Sequence, residues 1–561
     1  MKLGLCFNLI CGGLVAPCLL ASTAGAAGTQ TYKPTWESLS QKPIPEWMKD
    51  AKFGIYTHFG VFSVPAHGGP DYIKNLYGGP EKDVKGTYSY HVQKYGPLDR
   101  FGYRDFVPMF KAEKFNADEW VGLMHEAGAR FGGILCVHHD GFLLWDSKVS
   151  RWNAMNMGPK RDIYGEIAKA VRKYDDMKLL ATFHHGRTFG YATGFMEKEG
   201  GKPVVTDATK NWDIWNREYN DFYWNEAIGA SAEVFAAQWQ AKIMEVVDEY
   251  SPDCIWFDGL SKAMRGNHPS EKQVREVLAY CLNEAAKKGQ DVVVCNKHAG
   301  GFNFPKSFGL RCYENGRDMP ANVGRWFLID RAIAYPWSYV NDKKYKDGAG
   351  YHVRSLVDVV SRGGIFLLSL TPKADGSIPP EEQEIMRGIG RWLRVNGEAI
   401  YGTRPWTVYA EGPTQPRGIK RRKSGQASEQ WDWRKPFTAE DIRYTRSKDG
   451  RMLYAIALGW PQGKFSPAIL QVDDATGGKV ELIGHAGSLN YGVDGKRISI
   501  DVPAKPPCDY ACAFKLTGFK TSITPEAAAA RDEALKELQS ERNGAYKTEG
   551  RRGNEGTPRR K

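Results

Sequence analysis

Two acids stand where a chain could use them to break bonds. In Trp256-Phe257-Asp258-Gly259 an apolar run ends on a carboxylate and then turns through glycine. An aspartate held by a strand behind it is fixed as a nucleophile must be; a helix N-cap or loop acid is the bland alternative. Glu314 occupies Arg311-Cys-Tyr-Glu-Asn-Gly316. Beside aromatic groups such as Tyr313, desolvation would raise its pKa and suit it to general acid work, whereas a salt bridge to Arg311 or Arg317 would make it structural. Asp318 and Asp71 are reserve acids.

Histidines form a second constellation, in His58, His138-His139-Asp140-Gly141 and His184-His185-Gly186. Imidazole pairs invite a zinc reading. Adjacent residues leaving a strand point in opposite directions, however, so each pair offers one ring to a shared point more readily than two. Neutral imidazoles also donate to and accept from sugar hydroxyls. The reading adopted is hydroxyl recognition, with no metal and no cofactor. Phe59, Phe62, Tyr72, Tyr77, Phe142, Trp145, Trp326 and Trp337 offer the apolar faces a pyranose needs, although many will be core.

These residues must be positioned by something. From about residue 50 to 400, short apolar runs alternate with helical patterns, the signature of parallel β/α units. Strands are expected at 53–58, 132–138, 178–184, 254–257, 292–295, 310–313 and 365–369, and helices at 117–127, 163–174, 234–250, 271–288 and 351–361. With one more strand hidden among the loops, this predicts a (β/α)8 barrel over 45–400, with a doubly wound sheet as runner-up. His58, His138, His139, Asp140, His184, His185, Asp258, Asn296, Lys297 and Glu314 all follow directly on a predicted strand. In a parallel barrel that is the C-terminal rim, where loops assemble a site.

After Tyr401 the pattern changes to Thr, Val, Tyr and Ile runs broken by Gly, Asp and Pro, which predicts an antiparallel β-sandwich over 407–515. From Pro525 an Ala/Glu/Lys/Arg-rich stretch predicts an exposed helix to Arg542, then a disordered end, so 524–561 reads as a charged tail. At the other end, Lys2, an apolar stretch from Leu3 to Leu20 and small residues to Ala26 read as a signal peptide, residues 1–26. A lipoprotein signal at Cys18 is the competing reading, but Pro17 fits it poorly. A periplasmic or secreted protein follows, with no stable membrane insertion after processing.

Composition narrows the classes. The 561 residues include 17 Trp, 27 Tyr and 25 Phe, enough apolar area to exclude global disorder. The formal charge of +12 resembles a nucleic-acid signal until it is located. Lys547, Arg551, Arg552, Arg559, Arg560 and Lys561 crowd the tail, and 417–423 (RGIKRRK) adds a second basic run. Both read as solvated loop or tail, so no nucleic-acid partner is expected. Of the ten cysteines, Cys6, Cys11 and Cys18 lie in the leader, leaving an odd number without framework spacing. Cys508 and Cys512 alone are close enough to be a candidate disulfide, and no CxxC suggests structural zinc.

Phe53-Gly-Ile-Tyr-Thr-His-Phe-Gly60 with Ser63-Val-Pro-Ala66, His138-His-Asp-Gly-Phe142, Trp256-Phe-Asp-Gly259 and the long run from Leu356 to Pro379 resemble the α-L-fucosidases of glycoside hydrolase family 29. So do Trp392 to Trp406 and, in the second domain, Asp441-Ile-Arg-Tyr-Thr-Arg446. The resemblance spans roughly residues 45 to 515. It implies a retaining hydrolase releasing terminal L-fucose from a fucosylated oligosaccharide or glycoconjugate. By position Asp258 matches the family nucleophile, and His58, His138 and His139 its fucose-binding histidines. Glu314 falls where some relatives place an acid/base. The candidate contact set is His58, His138, His139, His184, His185, Tyr72, Lys297 and Trp326, with Phe59 as a wall for the C5 methyl group.

The chain also departs from the pattern. Pro70-Asp71-Tyr72 replaces the usual Glu-Trp-Tyr, Gly363-Gly-Ile-Phe-Leu-Leu-Ser369 replaces Gly-Gly-Asn-Leu-Leu-Leu-Asn, and Trp326-Phe327 stands where relatives carry Trp-Glu. The rival classes are a zinc-dependent hydrolase using His138, His139 and Asp140, and a sugar-binding relative without catalysis. Metal analysis and a fucose-binding assay without turnover discriminate them.

Overall fold

The computed structural model describes residues 6–7, 31–260, 269–297, 304–317, 319, 325–414, 417–421, 427–431, 433–533 and 536. Most of the leader, Asp318 and the tail beyond 536 lie outside the described residues. Eight parallel strands close into a barrel: β1 (Phe53–Thr57), β2 (Phe131–Val137), β3 (Lys178–Phe183), β4 (Cys254–Phe257), β5 (Val293–Lys297), β6 (Leu310–Cys312), β7 (Phe327–Ala332) and β8 (Gly364–Leu370). Chain order is spatial order, and β8 returns to pair with β1, Phe366 opposite Phe53. The strand hidden from the sequence reading is β7.

Among the described residues, the longer helices around the barrel include α1 (Ala117–Glu126), α2 (Ile163–Val171), α3 (Ala232–Tyr250), α4 (Glu271–Lys287), α5 (Ala349–Ser361) and α6 (Pro380–Asn396). Their starts follow from capping chemistry. Asn116 accepts from the backbone N–H of Asp118 and Glu119, Ser231 from that of Val234, and Ser270 and Gln273 form a capping box. Among the described residues no α-helix stands between β5 and β6 or between β6 and β7.

Side chains alternate along each strand. Tyr56, Leu180, Cys254, Trp256, Cys295, Cys312, Leu328 and Leu367 fill the interior as one apolar cluster. Two residues further along the same inward faces come His58, Asp258, Lys297, Glu314, Asp330 and Ser369, reached by the same period of two. The inward faces therefore carry apolar layers below and a polar layer at the C-terminal mouth.

The second domain is an antiparallel sandwich. One sheet joins Arg404–Glu411, Ile442–Arg446, Met452–Ala457, Cys512–Thr517 and Lys479–Leu482, with Cys6–Phe7 paired on its edge. The other contains Lys464–Phe465, Arg497–Asp501, Leu470–Asp474, Lys520–Ile523 and Tyr491–Asp494. Their inner faces share one core, in which Phe465 and Phe514 stack at 4.1 Å. The first part of the 417–423 basic run is not a loop: Arg417–Arg421 pairs with Ala427–Trp431 in a hairpin. Cys508 and Cys512 are free thiols with sulfurs 3.9 Å apart. No helix among the described residues is long and apolar enough to cross a membrane.

Candidate active site

Asp258 leaves β4 with its backbone N–H donated to Phe183 O at 3.0 Å, which pins the residue to the neighbouring strand. Lys297, at the end of β5, donates from Nζ to Asp258 Oδ2 at 3.0 Å. The same nitrogen lies 3.3 Å from Glu314 Oε2 and 3.5 Å from Asp330 Oδ2. Two oxygens 3.0 and 3.3 Å from one nitrogen are no more than about 6.3 Å apart, so Asp258 and Glu314 face a common space. Burial by itself would push the Asp258 pKa up, but Lys297, then His184 and Arg187, hold it well below the usual carboxylate range. Glu314 meets cations on two sides, with Arg317 at 3.7 Å, so the salt-bridge reading of this residue also holds in part.

Gly259 follows the carboxylate with φ +73°, and a Cβ there would fall 2.4 Å from Arg187 Cδ and 3.1 Å from His139 Cε1. Glycine is required twice over, by the left-handed backbone and by the guanidinium stem above it.

Four histidines line the mouth. His58 Nδ1 pairs with Ser369 Oγ at 2.7 Å, so the serine at this departure from the family pattern orients the imidazole. The His58 ring lies 5.6 Å from that of His184 and 5.9 Å from that of His138. His139 Nδ1 donates to His184 O at 2.6 Å, which fixes its tautomer because a carbonyl can only accept. His184 Nε2 sits 3.3 Å from Asp258 Oδ2 as a close polar contact. Burial lowers all four pKa values, that of His138 to about 4, so these rings are neutral near pH 7.

The alternation argument holds for one histidine pair and fails for the other. His184 points inward, whereas His185 turns outward, its ring 6.1 Å from Trp239 of α3. His138 and His139 both reach the mouth, 5.3 and 5.6 Å from His184. The register of β2 shifts between Leu135 and Val137, and the strand ends before the pair. Asp140 is turned away, accepting from Tyr103 O–H at 2.8 Å, so it does not converge with His138 and His139 on one point.

Three more expected contacts lie elsewhere. Tyr72 is buried in the wall, its hydroxyl 3.0 Å from His91 Nδ1. Trp326 precedes β7 and therefore sits at the opposite, N-terminal mouth, with Lys52 Nζ 4.4 Å over its ring. Phe59 is core, packed on Phe110, Phe115 and Trp120. The aromatic walls of the site are Phe62, 4.9 Å from His138, and Trp337, 5.1 Å from His58. Asp71 also belongs here: it accepts from the Tyr191 hydroxyl, and its pKa is lowered against burial by that bond and by His138. Asp330 and Arg187 were missed by sequence reasoning. Asp330 lies inside a strand whose polar residues interrupt its apolar pattern, and Arg187 sits in the turn after His184 and His185, beyond the end of the strand.

The family model of alpha-L-fucosidase matches residues 19–398, and that of the alpha-L-fucosidase C-terminal domain matches 434–517. The chain belongs to the α-L-fucosidase family, glycoside hydrolase family 29. Among curated relatives, the plasma alpha-L-fucosidase of Rattus norvegicus is 31% identical over 538 residues, covering 93% of this chain and 100% of that one. Tissue alpha-L-fucosidase of Bos taurus is 29% identical over 505 residues, covering 87% and 92%. Among solved structures, a Thermotoga maritima alpha-L-fucosynthase in complex with alpha-L-Fuc-(1-2)-beta-L-Fuc-N3 superposes with a TM-score of 0.64 at 27% identity, covering 87% of this chain and 100% of that one. The barrel and sandwich described above are thus those of a fucosidase, and the protein is an α-L-fucosidase glycoside hydrolase.

Proposed function

We propose that this fucosidase is an exported, retaining enzyme that releases terminal L-fucose from a fucosylated oligosaccharide or glycoconjugate by double displacement. The observation that carries the reading is the Lys297 ammonium shared by Asp258 at 3.0 Å and Glu314 at 3.3 Å. The two lysine-facing oxygens are therefore no more than about 6.3 Å apart, which accommodates the ~5–5.5 Å separation of retaining enzymes.

In the first step Asp258 attacks the anomeric carbon through the oxygen that Lys297 does not hold. The bond from that carbon to the leaving oxygen breaks, and Glu314 gives its proton to the departing oxygen. A fucosyl ester on Asp258 remains. In the second step water attacks the same carbon, Glu314 takes the water's proton, and the Asp258 carboxylate is restored. His58, His138, His139 and His184 contact the sugar hydroxyls; with His58 Nδ1 held by Ser369 and His139 Nδ1 donated to the His184 carbonyl, those two rings offer Nε2, that of His139 as an acceptor. Asp71 and Arg187 complete the polar wall, and Phe62 and Trp337 the apolar one. The leader reading of residues 1–26 supports a periplasmic or secreted location.

Stereochemistry tests this directly. Proton NMR of the first fucose released from an aryl α-L-fucoside is expected to show the α anomer before mutarotation; the β anomer first would mean inversion and a different role for one of the two acids.

A further inference from the structure

The loop after β7 continues the site outward. Ile333 and Ala334 are buried, yet Tyr335 is 47% exposed. Its ring stands edge-on to Trp337, centroids 5.9 Å apart. Trp337 lies 5.1 Å from the His58 ring and 5.3 Å from Lys297 Nζ, the nitrogen that joins Asp258 and Glu314. An aromatic ridge therefore runs from the reacting acids to solvent.

The ridge is held rather than loose. Lys343 Nζ donates to Pro336 O and, at 3.0 Å, to Ser338 O. Asn341 N–H donates to Ala66 O at 3.0 Å, tying the loop to the segment after β1. On the facing side Gly69, with φ +98°, leaves only 3.0 Å between a would-be Cβ and Pro336 Cβ. A fixed, exposed ring costs little ordering when a ligand lands on it.

The leaving oxygen must come within hydrogen-bond reach of Glu314 to be protonated. The sugar that bears the fucose must then lie outward from Glu314, and the aromatic ridge beside the Lys297 ammonium that Glu314 shares ends in solvent at Tyr335. Pyranose rings carry an apolar C–H face that suits an aromatic surface. We propose that Tyr335 is the stacking platform for the first leaving-group sugar, a pyranose, and so a determinant of which fucosylated glycans are cleaved. This rests on the hydrolysis proposed above with Glu314 on the leaving side.

The test compares two substrates, α-L-fucosyl fluoride, whose leaving group has no ring, and whichever positional isomer of a fucosyl disaccharide the unaltered protein cleaves fastest. For Tyr335→Ala the ratio of kcat/KM on the disaccharide to kcat/KM on the fluoride should fall about tenfold, through KM, while Tyr335→Phe should keep the ratio within about twofold. An unchanged ratio in Tyr335→Ala, with its melting temperature intact, overturns the platform. Inactivity of the unaltered protein on the fluoride would instead overturn the hydrolysis reading and the platform with it.

Discussion

Lys297 meets three carboxylates, and a buried ammonium among buried carboxylates persists only where pairing and hydrogen bonding offset desolvation. Burial would lower its pKa, but Asp258, Asp330 and Glu314 together raise it well above the usual value, so it is charged throughout the working range. Asp330 answers in the opposite sense: burial pushes it to about 6 against the pull of Lys297. The cation thus keeps Asp258 ionised and leaves a neighbouring acid that can vary its charge. Removing it has a definite sign. In Lys297→Met the pKa of Asp258 rises, so the acid limb of the kcat/KM profile on an aryl fucoside should move up by about one to two pH units. Lys297→Arg, which keeps the charge, should leave the limb in place. A limb that stays put in Lys297→Met would remove the ammonium from its electrostatic role.

At the scale of elements, β3 delivers one histidine inward and one outward, and the outward one offers a stability test separate from catalysis. His185 is buried with its pKa lowered to about 3 by desolvation first and Lys242 second. In the unfolded chain the same ring takes a proton below a pKa of about 6.5. The unfolded state therefore binds more protons as pH falls from about 6.5 toward 3, and stability is lost through that window at about 1.4 kcal/mol per pH unit for this one group. His185→Leu should flatten the pH dependence of urea unfolding by about that slope between roughly pH 6 and 4. An unaltered slope would mean the ring is protonated in the fold. The strand pattern that places His185 was largely legible in sequence, because parallel strands buried on both faces read as unbroken apolar runs. The exception, β7, carries Asp330 and Arg331 in mid-strand, which breaks the apolar run in the sequence, and Trp326, expected among the sugar contacts, lies just before it at the N-terminal mouth. His58, His184, Asp258 and Lys297 were legible because each ends a recognisable run. Tyr72 and Phe59 were not, since composition does not say which face of a wall a ring occupies.

At the scale of the molecule, barrel and sandwich are joined by a buried ion network. Asp358 of α5 accepts from Arg443 Nε at 2.6 Å, Arg362 Nε at 3.1 Å and Trp433 Nε1 at 3.0 Å. Trp392 of α6 donates to Ala511 O at 2.8 Å across the same junction. Breaking a buried pair from one side strands the other charge, so Arg443→Ala should cost about 3–5 kcal/mol in chemical unfolding. A loss under about 1 kcal/mol would show that Arg362 alone satisfies Asp358. The sandwich thereby buttresses the helix that leads into β8, and β8 carries Ser369, which orients His58. In the proposed mechanism the whole assembly serves one chemical event, the transfer of a fucosyl group to Asp258 and then to water. Its most direct test is trapping with a 2-deoxy-2-fluoro-fucosyl fluoride, followed by peptide mass spectrometry of the catalytically active protein. A fluorofucosyl adduct on Asp258 is the expected result; an adduct on another residue, or none during demonstrated slow turnover of the reagent, would contradict it.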